Sequence, residues 1–293
     1  MDIVESMIDS GQPGPGWKST KHLTLARELA SAFSAFPHVE AVAVGGSLAS
    51  QMADASSDID LYVYTTSVIP LPAREAIVAQ RGSSRADLNL QFWDLGDELI
   101  DGPTGIEVDV IYWDTAWITE QIERVLVHHQ ASVGYTTCFW NTVRNSLPLY
   151  DRHVWFARLQ ARCQCPYPEP LRRAVIAKNY PILRDVIPAY LHQIEKAIQR
   201  RDLVSVNHRV AALLASYFDV LFALNAIPHP GEKRLLEVAT ERCAKRPPAM
   251  REHVEEVLRL AATEDPTLIQ AVNRLIDNLD ALLLKEDFAL PLL

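Results

Sequence analysis

Three aspartates in this 293-residue chain fall in segments whose alternation brings carboxylates together. Asp58-Ile59-Asp60 opens the run Asp58-Ile59-Asp60-Leu61-Tyr62-Val63-Tyr64, and Asp109 lies in Ile106-Glu107-Val108-Asp109-Val110-Ile111. In an extended strand successive side chains point to opposite faces, so Asp58 and Asp60 share one face while Ile59, Leu61 and Val63 pack beneath the other. By the same rule Glu107 lies on the face of Asp109. Aspartate is depleted in strands, so a solvated surface explains this arrangement poorly. Carboxylates this close repel unless a positive charge sits between them, and a hard divalent cation such as Mg2+ does this well. The chemistry such a set supports is metal-assisted in-line attack on a phosphate. Glu107 reads equally as a metal neighbour, as a base that takes a proton from an attacking hydroxyl, or as a solvated glutamate.

Immediately upstream, Val42-Ala43-Val44-Gly45-Gly46-Ser47 reads as a buried strand and a tight turn into a short helix. Backbone N–H groups at Gly46 and Ser47 would suit phosphate oxygens, and the Ser47 hydroxyl adds a further polar group. Gly46-Ser47, ten residues, then Asp58-Ile59-Asp60, with a later strand aspartate in Asp109, resembles the signature of the nucleotidyltransferase superfamily related to DNA polymerase β, which includes the aminoglycoside and lincosamide nucleotidyltransferases. The likeness covers residues 20 to 150 by motif and the rest by general layout. It implies two Mg2+ ions, with Asp58 and Asp60 holding the metal on a triphosphate and Asp109 completing the second site. It implies ATP or another NTP as donor, and transfer of a nucleoside monophosphate, AMP in the first instance, to a hydroxyl of a small molecule such as an antibiotic. A toxin-type enzyme acting on tRNA or protein, and an inactive nucleotide-binding sensor, are the alternatives. Many members carry an Arg shortly after the Gly-Ser, whereas this chain has Leu48-Ala49-Ser50-Gln51. Some triphosphate charge must then be met elsewhere. Lys178, Lys233 and Arg234 are the candidates, set against the plain reading of solvated basic residues.

The elements that must position these residues follow from periodicity. Residues 1–17 are Gly/Pro-rich and read as a flexible arm. Leu23, Leu25, Leu29, Ala30 and Phe33 give a first helix ending before Pro37. Strands are expected over Val39–Val44, Asp58–Tyr64, Asp87–Trp93 and Ile106–Trp113, with helices over Pro72–Arg81, from Asp114 or Thr115 toward His129, and over Tyr135–Asn145. Beyond Tyr150 only helical periods remain: Val154–Cys163, Glu169–Arg200 broken at Pro181 and Pro188, Leu203–Ala226, Glu232–Arg246, Ala249–Ala262 and Pro266–Leu284. The expectation is an α+β protein, with a mixed-sheet nucleotidyltransferase domain over residues 1–150 and an all-helical bundle over residues 151–293.

A net charge of −9 argues against broad, salt-driven binding of nucleic acid. Trp93, Asp94, Asp97 and Glu98 read as an acidic, aromatic-flanked loop fit for a cationic or ring-bearing acceptor, or as a solvated acidic turn. A cationic or neutral small-molecule acceptor is therefore expected ahead of RNA or protein. A basic groove formed by Arg172, Arg173, Lys178, Arg184 and Arg201 keeps RNA open. Cys138, Cys163, Cys165 and Cys243 show no metal-binding spacing and read as reduced thiols. No apolar run reaches membrane-spanning length and the start, with Asp2, Glu5 and Asp9, is unlike a signal peptide, so the expected location is cytoplasmic.

Overall fold

The computed structural model describes residues 20–46, 58–263 and 265–288. The chain divides into two compact units, Met1–Gln121 with Thr142–Gln164, and Ile122–Asn141 with Cys165–Leu293. The expected arm and Ser47 lie outside the described residues. No helix among the described residues is long and apolar enough to cross a membrane.

The first unit is built on a six-stranded mixed sheet of β1 (Val39–Val44), β2 (Ile59–Thr65), β3 (Arg85–Leu90), β4 (Gly96–Ile100), β5 (Glu107–Asp114) and β6 (Leu147–Asp151), in the order β3-β4-β5-β2-β1-β6. Only β2 and β5 pair in parallel; the other neighbours are antiparallel. Helix α1 (Thr20–Ser34) buries Leu25, Ala26, Leu29, Ala30 and Phe33, a stripe at the three-to-four spacing that faces a core. These residues join Val42, Val44, Ile59, Leu61, Val63, Leu99, Val108 and Val110, the alternate residues of four central strands, in one cluster. Helix α2 (Leu71–Gln80) carries a proline in its first turn, where the missing N–H costs nothing. Helix α3 (Thr115–Leu126) is capped by Asp114, whose Oδ1 accepts from the N–H of Ala116 and Trp117, both at 2.9 Å.

Three strands depart from expectation. The third strand ends at Leu90 rather than Trp93, and the stretch expected as an acidic loop contains β4. The reason is Asp97, a carboxylate on the core face: it is 2% exposed and its Oδ1 meets Arg74 Nη1 at 2.5 Å. The Tyr112 hydroxyl and the Asn89 N–H donate to it at 2.7 and 2.8 Å. A buried charge this well satisfied interrupts the hydrophobic alternation without interrupting the strand. The other departure is β6, where Pro148 suggests a stop. The strand lies at the sheet edge beside β1, a place that tolerates a residue without an N–H. After it, α5 (Trp155–Cys163) begins on caps from Asp151, which accepts from the N–H of Phe156 and Ala157.

The second unit is helical. It contains α4's first residues (α4, Cys138–Asn145), then α6 (Glu169–Asn179), α7 (Pro181–Arg184), α8 (Tyr190–Gln199), α9 (Leu203–Leu224), α10 (Leu235–Arg242), α11 (Met250–Ala261) and α12 (Thr267–Lys285). The expected long helix from Glu169 is interrupted beside Pro181 and Pro188 as its prolines require. Helix α9 is the hub: residues Ser216 to Leu224 are all buried, and it packs against α6, α8 and α11. Inside it Asp219 accepts from the backbone N–H and hydroxyl of Thr136 and from Asn179 Nδ2. Asn179 Oδ1 in turn accepts from the Gly134 N–H at 2.8 Å, so two buried side chains hold the loop before α4. Burial pushes the Asp219 carboxyl up to about 6. Helix α10 is shorter than expected, starting at Leu235 because Arg234 takes a left-handed conformation with φ 57°.

Candidate functional site

Parallel pairing of β2 with β5 sets Asp60 directly opposite Asp109, with Asp58 two residues earlier on the same face. Carboxylate oxygens of Asp58, Asp60 and Asp109 lie within 4.8 Å of one another. The register that produces this is fixed from below, because Ile59, Leu61, Val108 and Val110 must all face the core. A slip of one residue would bury the aspartates and expose those four side chains. On the other side of β5, Glu98 of β4 stands opposite Asp109. A second carboxylate group, Glu98, Glu107 and Asp109, also gathers within 4.8 Å.

The electrostatics record the crowding. Burial, and then the carboxylates of Asp60, Glu98, Asp58 and Glu107, push the Asp109 carboxyl up to about 6. Four hard oxygen donors or more around one half-buried aspartate fit a divalent cation such as Mg2+ or a pair of them. The turn after β1 is shaped around the same group. Gly46 has φ +59°, and a Cβ there would run into the carboxylate of Asp60. Gly45 donates its N–H to the Asp60 carbonyl at 2.9 Å, and a Cβ at Gly45 would meet the Tyr62 ring. Both glycines are therefore required by close approach to the strand that carries the aspartates.

Farther along the same face the side chains turn aromatic. Tyr62 and Trp113 stack with centroids 4.5 Å apart, Trp113 meets Trp117 at 5.8 Å, and Tyr64 meets Trp155 and Phe156 at 5.5 and 4.9 Å. This packed floor fixes the face beyond Asp60 and Asp109.

Of the expected site residues, Asp58, Asp60, Asp109 and Glu107 come together, with Gly46 against Asp60. Ser47 is outside the described residues. Lys178, Lys233 and Arg234 belong to the second unit and are exposed. Lys178 lies in the last turn of α6, where a cation also favours the helix dipole. Arg234 pairs with Glu237 at 3.0 Å, which gives a local reason for a cation before α10. In the acidic stretch, Asp97 is engaged in the core and is no acceptor contact, whereas Glu98 joins the carboxylate group. Glu98 was not singled out beside Asp109; the signal for it is the alternation Gly96-Asp97-Glu98-Leu99-Ile100, legible once Asp97 is read as an inward residue.

No family model and no curated protein matches the chain. Among solved structures, a nucleotidyltransferase-like protein from Exiguobacterium sibiricum is similar to it with a TM-score of 0.42 and 12% identity, over 90% of this chain and 75% of that one.

Proposed function

We propose that the chain is a nucleotidyltransferase that moves a nucleoside monophosphate, AMP from ATP, to a hydroxyl of a cationic or neutral small molecule, an antibiotic among the candidates. The observation that carries this reading is the meeting of Asp58, Asp60 and Asp109 across the β2–β5 pair, with a glycine turn pressed against Asp60. Mg2+, when bound, supplies Lewis-acid polarisation of the phosphate and neutralises charge on it. Asp58, Asp60 and Asp109 would provide its oxygen ligands, with the Gly45-Gly46 turn packed closely against Asp60 and Tyr62. In the reaction the acceptor oxygen forms a bond to the α-phosphorus while the bond from that phosphorus to the bridging oxygen breaks. The hydroxyl proton passes to a carboxylate beside Asp109, Glu107 or Glu98, and pyrophosphate leaves with the bridging oxygen. Lys178, Lys233 and Arg234 stay the sequence-based candidates for the triphosphate charge that an Arg after Ser47 would otherwise meet.

The test is incubation of the full chain with each labelled NTP, Mg2+, an aminoglycoside and lincosamide panel, and bulk tRNA at two salt concentrations. Mass analysis should find a nucleotidyl adduct on a small molecule together with pyrophosphate. Salt-sensitive labelling of tRNA ends without a small-molecule adduct moves the acceptor to RNA. Nucleotide binding without pyrophosphate release leaves a sensor and removes the transferase.

A further inference from the structure

The tip of the β3–β4 hairpin carries two large aromatic side chains in water: Phe92 is 78% and Trp93 90% exposed, their rings edge to face at 6.2 Å. Hairpin tips are ordinarily Gly, Asn, Asp or Ser, which match turn geometry and meet solvent at no cost. Both flanks of this tip are nevertheless clamped. On one side Asn89, at φ 59°, donates its N–H to Asp97 and accepts from Arg74 Nη2 at 3.1 Å. On the other, Asp94 accepts from Trp113 Nε1 at 3.0 Å and the Leu95 carbonyl accepts from the Tyr112 N–H at 2.9 Å. A buried ion pair and a core tryptophan thus hold two apolar rings at a fixed place on the surface.

We propose that Phe92 and Trp93 form a platform for the cationic end of a long, ring-bearing acceptor whose hydroxyl lies at the carboxylates of β2 and β5. This rests on the nucleotidyl-transfer reading. Charge selects the occupant. Aromatic faces attract cations, and the exposed acidic side chains from the tip along β4 to the level of Asp109 are Asp94 and Glu98, while Arg85 on β3 is taken up by Asp87 at 2.9 Å. Distance selects its length. Asp94 anchors at Trp113, four residues along β5 from Asp109, which is roughly 13 Å at strand rise. One sugar-sized ring does not bridge that span; three or four linked rings do. The platform would therefore discriminate acceptors by length and charge while the carboxylates perform the same chemistry on all of them.

The experiment compares the wild-type chain with a Phe92→Ser/Trp93→Ser double variant by calorimetry in Mg2+, using neomycin, 2-deoxystreptamine and maltotetraose. Both positions are exposed, so the variant should keep its melting temperature. Neomycin, long and polycationic, should bind the wild type and lose about tenfold or more in affinity on the variant, a loss near 1.4 kcal/mol. The single-ring 2-deoxystreptamine should bind more weakly and be indifferent to the substitutions, and neutral maltotetraose should not bind. Unchanged neomycin affinity on the variant, absence of binding to the wild type, or a wild-type dimer that the substitutions dissociate each overturns the proposal. Pyrophosphate release measured on the same samples separates it from the reading beneath it. Neomycin affinity that depends on the aromatic pair, with no nucleotide chemistry, keeps a cation platform and removes the transferase. Nucleotidyl adducts formed equally well by both proteins keep the transferase and remove the platform.

Discussion

Asp97 and Glu98 are neighbours on β4, and the pleat sends them to opposite faces of one sheet. Asp97 faces the core, where Arg74, Tyr112 and the Asn89 N–H satisfy its oxygens. Glu98 faces the other way and meets Asp109, itself ringed by Asp60, Asp58 and Glu107. One carboxylate is surrounded by donors and serves the fold. The other joins a set of acceptors whose mutual repulsion lowers stability in the absence of a cation. Crowding of carboxylates in one place is an arrangement that a cation would relieve.

The largest expected effect breaks the carboxylate cluster. Asp60→Asn should lower transfer by roughly a thousandfold or more, since loss of a metal ligand removes several kcal/mol of transition-state stabilisation. Its melting temperature without metal should hold or rise as repulsion is relieved. An unfolded variant, or one with wild-type turnover, refutes the metal assignment.

The donor-satisfied side should respond in the opposite sense. Asp97→Ala leaves the guanidinium of Arg74, also 2% exposed, buried without its carboxylate. Breaking a buried pair costs about 3–5 kcal/mol, read as a drop in the urea midpoint at unchanged slope. A loss under about 1 kcal/mol would mean that water reaches Arg74.

A pH titration sharpens the contrast further. An aspartyl carboxyl pushed up to about 6 in the folded chain, against about 3.9 unfolded, holds its proton more tightly when folded. Its contribution to stability is present below pH 4 and is lost as pH rises through 6. Metal-free protein should therefore lose melting temperature across that window, and Mg2+ should restore it above pH 6. Asp219 is shifted in the same direction by burial, so part of the slope belongs to it. The Asp109→Asn variant isolates the rest: an unaltered slope in that variant excludes Asp109 as the source.

The smallest expected change is at Lys233 and Arg234. The Arg234–Glu237 pair is exposed, so replacing both cations with Ala should alter stability by less than about 0.5 kcal/mol. Triphosphate binding should weaken more than nucleoside binding, since only the former makes charge-assisted contacts. Equal losses for the two ligands dismiss these residues from the phosphate site.

The sequence made the carboxylate set legible because Asp58, Asp60 and Asp109 sit in strands whose other residues alternate cleanly, and alternation fixes the face. It made the last helix legible through the stripe Leu268, Val272, Leu275, Ile276 and Leu279, all buried. Strand β4 was hidden because Asp97 occupies a core position whose partner, Arg74, lies 23 residues away. Strand β6 was hidden because Pro148 is a stop signal everywhere except at an edge. The start of α10 was misplaced because Arg234 has φ 57°, a conformation that residue type alone does not announce. The misses share a cause: each depends on a contact or a position in the sheet that local pattern does not encode.

The outer strands of the sheet bear on how the molecule behaves when crowded. An open strand edge offers N–H and C=O groups to any extended chain that drifts alongside. At the β6 edge Pro148 removes a donor from that row, and the register shifts beside it between Val42 and Ala43 of β1, so the edge is irregular as well as incomplete. At the β3 edge Arg85 and Asp87 put opposite charges into solvent two residues apart, and the register breaks again before Leu90. A strand laid along either edge would lose hydrogen bonds or desolvate charge, which disfavours growth of this sheet into fibrils.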